Sequence, residues 1–119
     1  HGVKVISMIA PTSESRIRQI ASESEGFIYV VSSMGVTGVR SGIKTDLPAI
    51  VESIRAVTDV PCAIGFGIST PEQAKAMAAI SDGAIVGSAI VKIIAKYGKD
   101  AAPYIGEYVK SMKEAVAEA

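Results

Sequence analysis

At 119 residues the chain fits one compact domain and is too short for a complete eight-stranded β/α barrel, which needs roughly 250 residues. A hydrophobic fraction of 49% supports a buried core and excludes disorder over most of the length. Twelve Lys plus Arg against twelve Asp plus Glu leave no net charge, and the two signs interleave, which argues against a nucleic-acid partner or an anionic membrane surface. No apolar run reaches the ~18–20 residues of a membrane span, and His1-Gly2-Val3-Lys4 does not open a signal peptide. A cytoplasmic protein is therefore the expectation. One Cys and one His make neither an internal disulfide nor a metal-ligand cluster. Cys62, inside Val60-Pro61-Cys62-Ala63-Ile64, reads as a buried small hydrophobe rather than a reactive thiol.

Taken in chain order, four apolar runs of strand length recur at residues 3–10, 27–32, 62–66 and 84–87. They are nearly continuous in apolar residues, the pattern of parallel strands covered on both faces. After the first run, Pro11-Thr12-Ser13 supplies turn and N-cap chemistry, and Ile17, Ile20 and Ala21 fall on one helical face. A second helix has Thr45 and Asp46 as cap candidates and Pro48 in its first turn. Its apolar face is Leu47, Ile50, Val51, Ile54 and Val57. In a third, Thr70-Pro71-Glu72-Gln73 reads as a capping box, with Ala74, Met77 and Ala78 facing inward. Two helices follow the last strand. One is short, over residues 88–97, and stops at Gly98; the longer carries Ile105, Tyr108, Val109, Met112 and Val116.

The order βαβαβαβαα makes the strands parallel and the fold α/β, with no linker or low-complexity segment. Two architectures satisfy it: a small open doubly wound sheet, or part of a β/α barrel whose other strands lie elsewhere. The glycines bear on the function. Strand two runs into Gly35-Val36-Thr37-Gly38, strand three into Gly65-Phe66-Gly67, and strand four into Gly87-Ser88 at the start of the short helix. All lie at C-terminal strand ends, where β/α proteins place their ligands. Singly, such glycines serve tight turns; at three successive strand ends, the last opening an extra helix, they predict a phosphate cradle. Main-chain N–H groups and the helix dipole hold the anion there, with no Lys or Arg required. Neither the Walker nor the dinucleotide glycine pattern is present, which disfavours a nucleotide.

The residues Ser7-Met8-Ile9-Ala10-Pro11-Thr12, Phe27-Ile28-Tyr29-Val30-Val31-Ser32 with Gly35-Val36-Thr37-Gly38, Gly65-Phe66-Gly67-Ile68-Ser69-Thr70-Pro71-Glu72-Gln73 and Gly87-Ser88-Ala89-Ile90-Val91 resemble the tryptophan synthase alpha chain family. The resemblance runs in order along essentially the whole chain. It implies a single unit over residues 1–119, the C-terminal half of a TIM-type barrel: strands five to eight with a short extra phosphate-site helix. The implied activity is a lyase of tryptophan biosynthesis that cleaves indole-3-glycerol phosphate to indole and glyceraldehyde 3-phosphate by a retro-aldol step. It uses no cofactor and passes indole to a beta chain in an α2β2 complex. By the same resemblance Gly38, Gly67, Gly87 and Ser88 are phosphate ligands and Phe66 packs beside the substrate. Residues 35–40 form a mobile loop, in which Thr37 helps order the catalytic carboxylate on closure. Tyr29 is either a pocket residue near the indole or an inward-facing barrel aromatic.

The retro-aldol step needs an acid for the indole ring carbon and a base for the glycerol hydroxyl. In the family both are carboxylates near the ends of early strands. Here Glu14, Glu52, Glu72 and Glu114 fall on helices and Asp46, Asp59, Asp82 and Asp100 at caps or turns, all read as surface. The chain is therefore expected to hold the phosphate but not to turn over substrate alone. Its start at His1-Gly2, where strand five would begin, reads as a truncation, a proteolytic product or an incompletely represented protein, and the half-barrel's two open edges and exposed apolar lumen call for the missing N-terminal half or another copy of itself. The rival readings are a non-catalytic phosphate-binding half-barrel or folding fragment, and an assembly module for the beta chain.

Overall fold

The computed structural model describes residues 1–11, 14–32, 46–65 and 67–119. Its strands are β1 (Ser7–Ile9), β2 (Ile28–Val31), β3 (Cys62–Gly65) and β4 (Gly83–Ala84). Its helices are α1 (Glu14–Ser22), α2 (Leu47–Arg55), α3 (Pro71–Ile80), α4 (Ser88–Tyr97) and α5 (Ala101–Ala117), the last two joined by a 3-10 turn at Gly98–Asp100. All strand pairs are parallel, in the order β1-β2-β3-β4. A doubly wound sheet reverses its strand order at a switch point and carries helices on both faces. Here spatial order follows chain order without reversal, the arrangement of a barrel wall.

Local chemistry sets the helix ends. The Asp46 carboxylate accepts from Ala49 N–H at 3.1 Å and Pro48 occupies the first turn of α2. Thr70 Oγ1 accepts from Gln73 N–H at 3.2 Å while Gln73 Oε1 accepts from Thr70 N–H at 3.1 Å, which completes the capping box of α3. Gly98, at φ +54°, ends α4 as expected. Thr12, Ser13 and Thr45, expected at helix starts, lie outside the described residues.

The strands are shorter than their apolar runs because pairing, not hydrophobicity, sets their length. Ser7 is opposite Ile28, where β2 begins, so Val3 and Val5 precede any partner and are 79% and 77% exposed. β4 begins one residue earlier than the sequence suggests, because Asp82 N–H bonds to Cys62 O at 2.9 Å beside the start of β3. Val57, expected on the core face of α2, falls beyond the helix in a turn closed by Val57 N–H to Ile54 O, and is exposed.

Helices cover one face of the sheet and leave the other open, the exposed apolar lumen that a half-barrel is expected to show. Ile9, Ile28, Val30, Cys62 and Ile64 form one cluster with Ile17 and Ala21 of α1, four residues of α2, Ala74 of α3 and Met112 of α5. The alternate positions of the strands, Met8, Tyr29 and Ala63, face the other way; Met8 is 60% exposed and the other two are half-buried. In a barrel this second face is the lumen, filled by side chains of all eight strands, which is why its residues look like core in the sequence.

At the N-terminal end of the sheet, Asp82 clips β3 to β4. Its Oδ2 accepts from Cys62 N–H at 2.9 Å and lies 3.7 Å from the thiol, while Oδ1 is 3.4 Å from Arg55 Nη2. Cys62 is buried as the sequence suggested, and burial, then the neighbouring Asp82 charge, pushes its thiol above the ordinary pKa, which favours the protonated form. Asp82→Ala strands the Cys62 amide and is expected to lower stability by about 1–3 kcal/mol in chemical denaturation. Arg55→Ala removes only a half-exposed ion pair and is expected to cost less than about 1 kcal/mol. Equal losses would assign the effect to the ion pair instead of the amide.

Candidate functional site

A cavity of about 430 Å3 opens at the C-terminal ends of the strands. Four of the residues singled out from the sequence, Tyr29, Gly67, Gly87 and Ser88, meet in its wall. The loop after β3 contributes residues 67–69, the segment after β4 contributes Ile85 and Gly87, and the first turn of α4 contributes Ser88 and Ala89. Thr37, Gly38 and Phe66, with the rest of the loop over residues 35–40, lie outside the described residues.

Each glycine has its own reason. Gly67 sits at φ +80°, a conformation that L side chains rarely adopt, and turns the chain from β3 toward α3. Gly87 has an ordinary φ of −125°, and among the described residues a Cβ built there meets nothing within 4 Å beyond its chain neighbours. Neither backbone strain nor packing among the described residues requires a glycine at that position; what it provides is bare main chain facing the cavity. Gly87 is also the N-cap of α4, with no side-chain hydrogen bond capping the helix. Its carbonyl takes the first helical bonds, from Ile90 N–H at 3.0 Å and Val91 N–H at 3.1 Å. The N–H groups of Ser88 and Ala89 come before those bonds, at the positive end of the helix dipole.

Tyr29 crosses the inner face of the sheet over Gly65. A Cβ at Gly65 would overlap Oη and Cζ of the ring and sit 2.8 Å from Cε1, so the glycine in β3 is what lets the ring reach the cavity. Tyr29 is an inward-facing barrel aromatic whose ring also lines the cavity.

The sequence reading missed Ser69 and Lys92. Lys92 lies one helical turn after Ser88 and lines the same cavity, so a cation accompanies main-chain groups that were expected to need none. Its i,i+4 spacing from Ser88 was the available signal. The twelve acidic side chains, all among the described residues, lie elsewhere. Glu14, Glu52, Glu72, Glu107 and Glu114 are on helices, Asp46 and Asp100 at helix starts, and Glu23, Glu25, Asp59, Asp82 and Glu118 in turns or at a helix end. No described helix is long and apolar enough to cross a membrane.

Parallel strands in chain order, one helical layer, and a site built from loops at the strands' C-terminal ends define a TIM-type β/α barrel, of which this chain forms four strands. The family model described as "Tryptophan synthase alpha chain" matches residues 1–118. The tryptophan synthase alpha chain of Lacticaseibacillus casei is 51% identical over 116 residues, covering 98% of this chain and 44% of that one. That of Geobacter sulfurreducens is 44% identical over 118 residues, covering 98% and 45%. Among solved structures, tryptophan synthase of Mycobacterium tuberculosis superposes with a TM-score of 0.75 at 33% identity over 93% of this chain and 41% of that one. The alpha chain of Legionella pneumophila does so at 0.74 and 31% over 98% and 43%. The chain belongs to the tryptophan synthase alpha chain family, and it spans less than half the length of these relatives.

Proposed function

We propose that this chain is the phosphate-holding part of a lyase that cleaves indole-3-glycerol phosphate to indole and glyceraldehyde 3-phosphate by a retro-aldol step in tryptophan biosynthesis. The observation that carries this reading is the convergence of Gly67, Gly87 and the uncapped start of α4 on one cavity. The main-chain N–H groups of residues 67, 87 and 88, with the Ser88 hydroxyl, bind the phosphate, as helix N-termini and glycine turns do generally. Lys92 adds positive charge one turn below. Tyr29 borders the indole and propyl part of the substrate, and Gly38, Thr37 and Phe66 keep the roles that the family resemblance gives them.

The chemistry needs a proton delivered to the indole ring carbon and one taken from the glycerol hydroxyl. The carboxylates for both steps come from the part of the barrel that this chain does not span. No cofactor takes part. The completed barrel is cytoplasmic and pairs with a tryptophan synthase beta chain in an α2β2 assembly that receives the indole. Supporting this division, the cavity wall supplied here holds bare main chain at Gly67 and Gly87, the Ser69 and Ser88 hydroxyls and the Lys92 amine beside apolar side chains, and no carboxylate among the described residues.

The test is complementation. The purified 119-residue polypeptide is expected to bind inorganic phosphate and to release no indole from indole-3-glycerol phosphate. Mixed with the N-terminal barrel half of the L. casei relative, it is expected to gain indole release. Phosphate affinity without any activity in the mixture would support a non-catalytic phosphate-binding half-barrel instead, and indole release by the chain alone would overturn the division of labour.

A further inference from the structure

We infer that Tyr108 is a positioning residue for the anion-holding wall, fixing residues 67–69 through the main-chain carbonyl of Ser69; this rests on the phosphate reading above. Among the described residues, the loop after β3 is held at three points. The Ile68 side chain is 7% exposed and anchored in the core cluster. Ser69 N–H donates to Gln73 Oε1 at 2.8 Å, and Ser69 Oγ lies 3.3 Å from the same oxygen. The Ser69 carbonyl accepts from the Tyr108 hydroxyl, 39 positions further along the chain.

These three ties are not equivalent. The Gln73 bonds belong to the capping box and travel with the N-terminus of α3 wherever it goes. The Tyr108 bond joins the loop to a different element, α5. Its ring packs against the core cluster, so the hydroxyl is presented from a fixed base. Burial raises the Tyr108 pKa above its ordinary value, in the sense that favours the protonated, donating hydroxyl. The loop residue next to this bond and the one at φ +80° both line the phosphate cavity. A loop that leaves this geometry spreads its amides away from the start of α4, and the anion then binds only the fraction of molecules that keep it.

Tyr108→Phe keeps the ring and removes the tie. In the 119-residue chain it is expected to raise the dissociation constant for inorganic phosphate about fivefold, the effect of one net hydrogen bond. Amide hydrogen exchange at residues 67–70 is expected to accelerate by about the same factor, with β2 unchanged. Met112→Ala, a core change on the same helix, is expected to lower the melting temperature more than Tyr108→Phe yet leave phosphate affinity unaltered. The inference falls if Tyr108→Phe changes neither affinity nor exchange by more than about twofold, or if Met112→Ala weakens phosphate equally. Wild-type chain that takes up no phosphate while Tyr108→Phe still speeds loop exchange would sink the phosphate reading and leave the tie standing; unchanged exchange removes the tie whatever the binding shows.

Discussion

Replacing Ser88 by Asp is expected to weaken phosphate binding by roughly a hundredfold or more while leaving the fold as stable as before or slightly more so. The two effects have opposite signs because one carboxylate meets two different partners. Toward the helix, a negative charge in the first turn of α4 complements the dipole and the N–H groups that Gly87 leaves uncapped, worth about 0.3–1 kcal/mol. Toward the anion, two like charges about 5 Å apart at an effective dielectric near 20 repel by about 3 kcal/mol, which is the stated loss in affinity. The new carboxylate also stands one turn from Lys92, where i,i+4 pairing takes up the cation lining the cavity. Ser88→Ala, which deletes one hydroxyl and adds no charge, is expected to lose only about three- to tenfold. Titration calorimetry with inorganic phosphate and thermal melts on both variants check this. Equal affinities for Ser88→Asp and wild type would place the anion elsewhere, and a large loss of stability would show that residue 88 serves the fold.

What the sequence made legible was what local chemistry decides. The capping box at Thr70 and Gln73, Pro48 in the first turn of α2 and the stop at Gly98 each depend on residues within one turn of each other, and each stands where the reading placed it. The ends of the strands were not legible, since the length of β1 is set by where β2 begins and not by its own apolar run. The half-barrel reading gave the open lumen face but not its members, since Met8 and Tyr29 carry side chains that a composition argument cannot tell from a core beneath helices. At the site, glycines at strand ends gave three of the four cavity residues found in advance. Lys92 was passed over because a lysine on a short helix reads as a solvated charge. The Tyr108 bond to Ser69 spans 39 positions and leaves no periodic trace.

Gly65→Ala is expected to reverse its effect on stability according to the residue at position 29. In the wild-type chain an added Cβ overlaps the end of the Tyr29 ring, and Gly65, buried in β3 and paired in register with Val31, cannot back away without breaking the sheet. The ring must move, and the strain and lost contact are expected to destabilise the protein by about 1–3 kcal/mol. With Tyr29→Ala already in place the obstruction is gone. No left-handed conformation at residue 65 demands a glycine, so alanine there restricts the unfolded chain and stabilises the protein by roughly 0.5–1 kcal/mol. A double-mutant cycle by urea denaturation therefore yields a coupling of at least about 1.5 kcal/mol between residues on adjacent strands. The same displaced ring removes one wall of the cavity, so Gly65→Ala should also alter binding of an indole-bearing phosphate more than binding of inorganic phosphate. If Gly65→Ala destabilises both backgrounds equally, the glycine answers to its own strand, and Tyr29 owes its place over the sheet to something else.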